Sequence, residues 1–299
     1  MMNLQNLITI TRTDHPKQLK KMYFFKISLL PILAIFLITA CSDAESTNAD
    51  SEIEEWVELF NGENLDGWDL KIRGYELNEN FANTFRVENG LMKVRYDGYE
   101  AFDQKFGHIF YEEPFSYYRL RVEYRFVGEQ ATNGPGWAFM NNGIMFHSQS
   151  AESMDIDQDF PTSIEFQLLG GDGENERPNG SICTPGTHVV VDGELITDHC
   201  INSGGPTHHG DQWVTAELVA YGDSLIQHIL NDEIVMEYTQ PQLEDGTPLT
   251  GGYIALQSES HPTDFRTIEI LNLEGCMDPE ANNYKSYFVK DSPDECVYD

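Results

Sequence analysis

From Trp56 onward, apolar and polar residues alternate over short runs broken by turn residues. Tyr118, Leu120, Val122, Tyr124 and Phe126 alternate with Arg119, Arg121, Glu123 and Arg125. That period of two places one set on a buried face and the other outside, as a half-buried strand requires. Phe85-Arg86-Val87-Glu88 and Leu91-Met92-Lys93-Val94 flank Asn89-Gly90, a dipeptide that accepts the left-handed backbone of a tight hairpin turn. Further strands are predicted over residues 143–149, 163–169, 188–191, 214–219, 224–230, 234–238, 253–258 and 265–273. No segment sustains a helical period. The chain therefore reads as all-β, and many short antiparallel strands imply a sandwich or a barrel.

The first 40 residues break this pattern. Arg12, Lys17, Lys20, Lys21 and Lys26 precede an apolar run over residues 27–38, which closes in Ile38-Thr39-Ala40-Cys41. The run is short for a spanning helix, and the small residues before Cys41 fit a lipoprotein cleavage site. Residues 1–40 are thus expected to be a signal peptide, with Met22 as an alternative start and an uncleaved anchor as the rival reading. Cys41 would take lipid, and two or three acyl chains anchor stably because each buried CH₂ contributes about 0.8 kcal/mol. Residues 41–55 are polar and acidic, a tether. Cys41-Ser42-Asp43-Ala44-Glu45 resembles the acidic export signal of Bacteroidota surface lipoproteins. This implies an exported protein lipid-anchored to the outer membrane, at the cell surface, with the periplasmic face as the alternative.

Charge narrows the partners. The 299-residue chain carries −32, and removing a leader with five basic residues and one acid takes it to −36. Such a surface repels nucleic acid and anionic lipid; neutral sugars or cations suit it better. Cys41 aside, Cys183, Cys200, Cys276 and Cys296 remain for an oxidising compartment. Three pairings are possible. The local one, Cys183 with Cys200 and Cys276 with Cys296, is favoured because each pair brackets a Gly- or Pro-containing loop.

Several fragments carry a family resemblance. They are Leu59-Phe60-Asn61-Gly62-Glu63-Asn64-Leu65-Asp66-Gly67-Trp68, Asn142-Gly143-Ile144-Met145-Phe146-His147, Glu165-Phe166-Gln167-Leu168-Leu169, Asp211-Gln212-Trp213, Gly252-Tyr253-Ile254-Ala255-Leu256-Gln257 and Asp264-Phe265-Arg266-Thr267-Ile268-Glu269-Ile270. In this order they resemble the 3-keto-disaccharide hydrolase domain family across residues 56–274. The resemblance implies a concanavalin A-like jelly-roll, an antiparallel β-sandwich whose bent sheet holds a sugar. It also implies chemistry on an oxidised sugar: a ketone at C3 acidifies the C2 hydrogen, a base removes it, the C1 substituent leaves, and water adds. Residues 275–299, bracketed by Cys276 and Cys296, resemble a small motif of secreted Bacteroidota proteins.

Glu165 and Gln167 should share the face opposite Ile164, Phe166 and Leu168, about 7 Å apart at roughly 3.3 Å per residue. An ordinary retaining glycosidase needs two carboxylates about 5 Å apart, and this pair supplies one; a second would have to come from another strand. Glu165, His147 and His209 are the base candidates. Alternation puts His147 on a face with Met145 and Gln149. Arg266, or a bound metal, would steady the enolate oxygen, though a salt bridge is the stronger reading of that arginine. Gln167, Gln257, Glu259 and His261 are expected to bind substrate, the last three near a sheet edge. His208, His209 and Asp211 in a Gly-rich loop are the candidates for holding a divalent cation, a cofactor the sequence leaves open. Gly170 to Arg177 reads as a rim loop beside Glu165, and Trp137, Tyr111 and Tyr117 read equally as rings that stack on sugars or as core. Beside 3-keto-glycoside cleavage stand two other readings, a sugar-binding module of a surface glycan system and an ordinary glycoside hydrolase.

Overall fold

The computed structural model describes residues 53–299. The expected signal peptide over residues 1–40, the expected lipid acceptor Cys41 and the expected tether up to residue 52 lie outside the described residues. Two antiparallel sheets pack face to face, the expected jelly-roll sandwich. The larger has ten strands, with Tyr117–Phe126 and Thr263–Asn272 adjacent at its centre. The smaller has seven, ordered Cys200–Ile201, Ile182–Cys183, Ile164–Leu169, Asn141–Ser148, Tyr253–Ser258, Gly107–Tyr111 and Trp68–Ile72. Apart from single 3-10 turns, no helix occurs among the described residues.

Alternation decides which side chains meet. Tyr118, Leu120, Val122, Tyr124 and Phe126 are all buried and face Ile144, Phe146, Ile164, Phe166, Ile254 and Leu256 of the other sheet. The intervening arginines stay outside, where carboxylates pair with them. Arg119 and Arg121 share Glu217, and Arg125 pairs with Asp264 at 2.9 Å. The hairpin turn at Asn89-Gly90 has φ of 57° and 74°, the left-handed geometry these residues tolerate.

Both disulfides follow the local pairing. Cys183 and Cys200 are direct partners across two short strands of the smaller sheet. Cys276–Cys296 closes the tail, where Glu274–Gly275 pairs in parallel with Lys290–Asp291. The outer face of the smaller sheet is partly roofed. Phe110, Met145 and Ala255 point out from three neighbouring strands and are covered by Ala151 and Met154, so the rest of that face is recessed.

Candidate active site

The recess is built by strand alternation. Ile164, Phe166 and Leu168 enter the core, so Glu165 and Gln167 emerge outward. On the neighbouring strand Ile144 and Phe146 point in, leaving Asn141, Gly143 and Met145 outward. On the next, Gln257 emerges opposite Ile254 and Leu256. Register aligns Gln167 with Gly143 and Gln257 with His108, and places Gly143 beside Gln257. Asn142 locks the two central strands by donating from Nδ2 to the Gln257 carbonyl at 2.8 Å.

Gly143 is the floor. A Cβ there would collide with Glu165 Oε1 and stand 2.7 Å from Gln257 Oε1 and 2.8 Å from Glu165 Cγ. The missing side chain is the space in which those two polar ends meet.

Above this floor lies a cavity of about 270 Å³, lined by Trp137, Asn141, Phe160, Glu165, Gln167 and Glu259 among others. Glu259 comes from the loop after the Gln257 strand. Its neighbour Ser260 has φ of 86°; Ser260 donates its N–H to the Tyr96 hydroxyl at 2.9 Å and receives Gln130 Nε2 on Oγ at 2.9 Å. The loop is therefore fixed, and Glu259 is held beside Glu165, only 2 % exposed, rather than in solvent.

Burial without compensation marks the site. Glu165 Oε1, Gln257 Oε1, Glu259 Oε2, Asn141 Oδ1 and both ring nitrogens of His108 find no hydrogen-bond partner among the described residues. Native interiors leave few such groups; of these, Glu165, Glu259 and Asn141 line this one cavity, which indicates a polar ligand. The two carboxyls respond electrostatically. Burial raises the Glu165 pKa well above the usual range, and the Glu259 charge raises it further, against a pull from the Gln257 amide. Burial pushes Glu259 up to about 8, while the Arg177 guanidinium pulls it down. Two close carboxyls in low dielectric do not both ionise readily. His108 stays neutral, lowered by burial to about 3.

Arg177 arranges the mouth. It donates to the carbonyl oxygens of Trp137, Phe139, Met140 and Gly170, at 2.9 Å for Trp137 and 3.1 Å for Met140 and Gly170. The rim loop and the Trp137 segment are thereby tied together. His261 is buried near this arginine, edge-on to Phe126 and Phe139, with its pKa lowered to about 4, chiefly by burial.

Other residues singled out from sequence go elsewhere. His147 does not share the Met145 face. A bulge near the end of its strand gives it φ of 46° and turns its ring toward the opposing sheet, where Nε2 meets the Gly222 carbonyl oxygen at 2.9 Å. Arg266 lies on the outer face of the larger sheet, with Nε and Nη2 each 3.1 Å from Glu123 and the guanidinium over Trp213. His208 Nδ1 meets Asn179 at 3.0 Å, His209 Nδ1 accepts the Gly173 N–H at 2.9 Å, and Asp211 meets Arg125 at 3.4 Å. These partners draw the three apart. Among the described residues, the one cluster of metal-ligand types is Cys183, His199 and Cys200, whose sulfurs are joined to each other. Gln257 sits on a central strand rather than at a sheet edge, flanked on both sides. Tyr111 packs on Trp68 and Phe115, away from the cavity.

Asn141, Phe160, His108 and Arg177 were not singled out from sequence. His108 had a readable signal, since it alternates with buried Ile109. The role of Arg177 depends on four carbonyls from two loops, which no local pattern reveals.

A family profile described as the 3-keto-alpha-glucoside-1,2-lyase-like domain matches residues 55–271. The chain belongs to that family. The family stretch contains both carboxyls, the Gly143 floor and the Cys183–Cys200 disulfide, and it ends before the Cys-bracketed tail. No curated protein matches the chain. Two solved proteins from Parabacteroides distasonis that carry provisional glycosyl hydrolase names are similar in fold. One is 18 % identical, covering 73 % of this chain and 100 % of its own, with a TM-score of 0.47. The other is 15 % identical, covering 73 % and 94 %, with a TM-score of 0.45. The carbohydrate binding module CBM66 from Bacillus subtilis is 10 % identical, covers 74 % and 98 %, and has a TM-score of 0.41.

Proposed function

We propose that this member of the 3-keto-alpha-glucoside-1,2-lyase-like family cleaves 3-keto-glycosides by β-elimination and hydration, with Glu259 and Glu165 as its base and acid. The observation that carries this reading is the pair of buried carboxyls on one cavity, with a cation near only one of them. Arg177 favours charge on Glu259, and that charge keeps the proton on Glu165. Glu259 carboxylate takes the C2 proton, and the electron pair forms the C2–C3 enolate. The enolate re-forms the ketone as the C1–oxygen bond breaks, and Glu165 gives its proton to the leaving oxygen. In the second half Glu165, now a carboxylate, takes a proton from water as the oxygen adds to C1. Glu259 returns its proton to C2, and both groups are reset. The amides of Asn141, Gln167 and Gln257 line or border the cavity as donors for the developing enolate oxygen.

Two carboxyls on one cavity are also the groups an ordinary glycosidase uses. Incubation with 3-keto-trehalose, a 3-keto-glucoside and the unoxidised sugars, followed by mass spectrometry, separates the readings. Cleavage of the ketones alone supports the proposal. Cleavage of unoxidised sugar to the same extent overturns it in favour of ordinary hydrolysis, and binding without turnover of either leaves a sugar-binding module.

The pH profile follows from the roles. Glu259 must be ionised to act as base, so kcat/KM, which reports free-enzyme groups, is expected to climb through a pKa of about 8. It should fall again when Glu165 loses its proton at higher pH. An acid limb near the ordinary carboxylate range would remove Glu259 as base.

We further propose export and lipid anchoring through Cys41, on the sequence pattern Ile38-Thr39-Ala40-Cys41. Metabolic labelling with an alkyne fatty acid should mark the wild type and not Cys41→Ala. Equal labelling of both would show that Cys41 is not the acceptor.

A further inference from the structure

Trp137 is 55 % exposed, an unusual state for the largest apolar side chain. It is nevertheless held. Phe106 stacks under it with centroids 5.8 Å apart and planes 18° from parallel, and Arg177 grips its carbonyl oxygen at 2.9 Å. A fixed indole with an open surface is a platform for a ligand rather than a mobile surface residue.

Trp137 lines two cavities. One is the cavity of Glu165 and Glu259, about 270 Å³. The other, about 260 Å³, is bounded by Phe139, Asp172, Asn175, Glu176 and Arg177. Each is below the range of about 300–1,000 Å³ that holds drug-sized ligands, and the two together fall within it. The division suits a molecule of two rings better than one large ring.

We infer that the second cavity is a subsite for the sugar ring that leaves, with Trp137 as its stacking platform, and that this ring must be uncharged. The inference rests on the cleavage reading for the first cavity. A pyranose presents C–H bonds on its flat face, which pack on an aromatic surface while its hydroxyls point outward. Asp172 supplies a fixed rim: its carboxylate accepts the N–H groups of Glu174 and Asn175 at 2.9 and 2.8 Å and the Asn175 amide at 2.7 Å. Those bonds keep the carboxylate ionised. Glu176 adds a second acid, and the Arg177 guanidinium is turned to backbone carbonyls. An anionic ring such as a uronic acid would meet two carboxylates, Asp172 and Glu176, against the single cation Arg177, whose donors are taken up by backbone carbonyls, which selects against it.

Kinetics on full-length protein test this. The probes are 3-keto-trehalose and 3-keto-cellobiose, the methyl 3-keto-α- and β-glucosides, and the matching 3-keto-glucosides with glucuronate as the leaving ring. Wild type should favour the neutral disaccharides over both the methyl and the glucuronate compounds. Trp137→Ala should lower kcat/KM for the disaccharides by about tenfold or more, the scale of a lost pocket contact, and lower it for the methyl glucosides by a clearly smaller factor, because Trp137 also borders the first cavity. Trp137→Phe should restore most of the preference. An equal fall for one-ring and two-ring substrates, or no fall for either, would overturn the subsite. If the wild type turns over none of these compounds, the cleavage reading fails separately. Calorimetric titration with trehalose, cellobiose and the methyl glucosides then decides the subsite: a two-ring preference lost in Trp137→Ala supports it, and equal affinity for one and two rings ends it.

Discussion

Glu165→Gln is expected to lower cleavage of a 3-keto-glycoside by at least about 10²-fold, the low end for general acid–base catalysis, while leaving the first chemical step in place. The substitution keeps shape and polarity and removes the proton that the leaving oxygen needs. Enolisation depends on Glu259, so exchange of the C2 hydrogen into deuterated solvent should continue in Glu165→Gln. Glu259→Gln should lose exchange and cleavage together. A good leaving group, such as a nitrophenol, needs little protonation, so the Glu165→Gln defect should shrink on that substrate. Loss of C2 exchange in Glu165→Gln with Glu259→Gln unaffected would reverse the two roles. Unchanged cleavage in both folded variants would remove the pair from the mechanism.

The same variant should be more stable than the wild type. A carboxyl whose folded pKa is raised favours the protonated folded state, so its contribution to stability is fully present below the unfolded pKa near 4.5 and is lost as pH rises toward the folded value. The neutral amide of Glu165→Gln carries no such loss. The Tm difference between Glu165→Gln and wild type should therefore be small at pH 4 and grow through pH 8. A site that gains stability on losing its acid is one held for chemistry rather than for packing.

The face on which Glu165 and Gln167 emerge was legible because it depends only on alternation with Ile164, Phe166 and Leu168. The same rule failed for His147. A rule of period two carries no information about a bulge, and one extra residue near the strand end turns the ring to the opposite sheet. Arg266 was legible in its charge balance: an arginine in a strand needs a carboxylate, and register supplies Glu123 directly opposite. The partner of Glu165 was harder to place. Glu259 stands in a polar stretch, Ser258-Glu259-Ser260-His261-Pro262, that reads equally as a solvated turn. Its burial depends on Tyr96 and Gln130, residues far away in sequence that fix Ser260. Arg177 was hidden for the same reason, because long-range contacts set its role. The disulfide loops, by contrast, closed locally, as the spacing favoured.

Gly143→Ala is expected to damage catalysis far more than it damages the fold. Gly143 is not in the left-handed region, so the backbone accepts alanine without strain. The methyl group would instead occupy the space shared by Glu165 Oε1 and Gln257 Oε1. Those oxygens are the ends of side chains and can move, but the methyl group would also stand 2.8 Å from Glu165 Cγ, and both side chains are buried with little room. Overpacking of this kind costs about 1–3 kcal/mol, which the disulfide-closed sandwich should survive with its Tm lowered. The displaced carboxyl is another matter. A general acid must lie within about 2.6–3.2 Å of the atom it serves, and a shift of about 1 Å there can cost about 10²-fold in rate. The expected pattern is a kcat loss of about 10²-fold or more with a cooperative melt and wild-type disulfides. A combined Gly143→Ala, Glu165→Gln variant tests the cause, because an acid already removed cannot be displaced. The double variant should be no slower than Glu165→Gln alone. Fully additive losses would mean that the methyl group acts on something other than the Glu165 carboxyl, and an unchanged kcat in Gly143→Ala would mean that the glycine floor is not part of the working geometry.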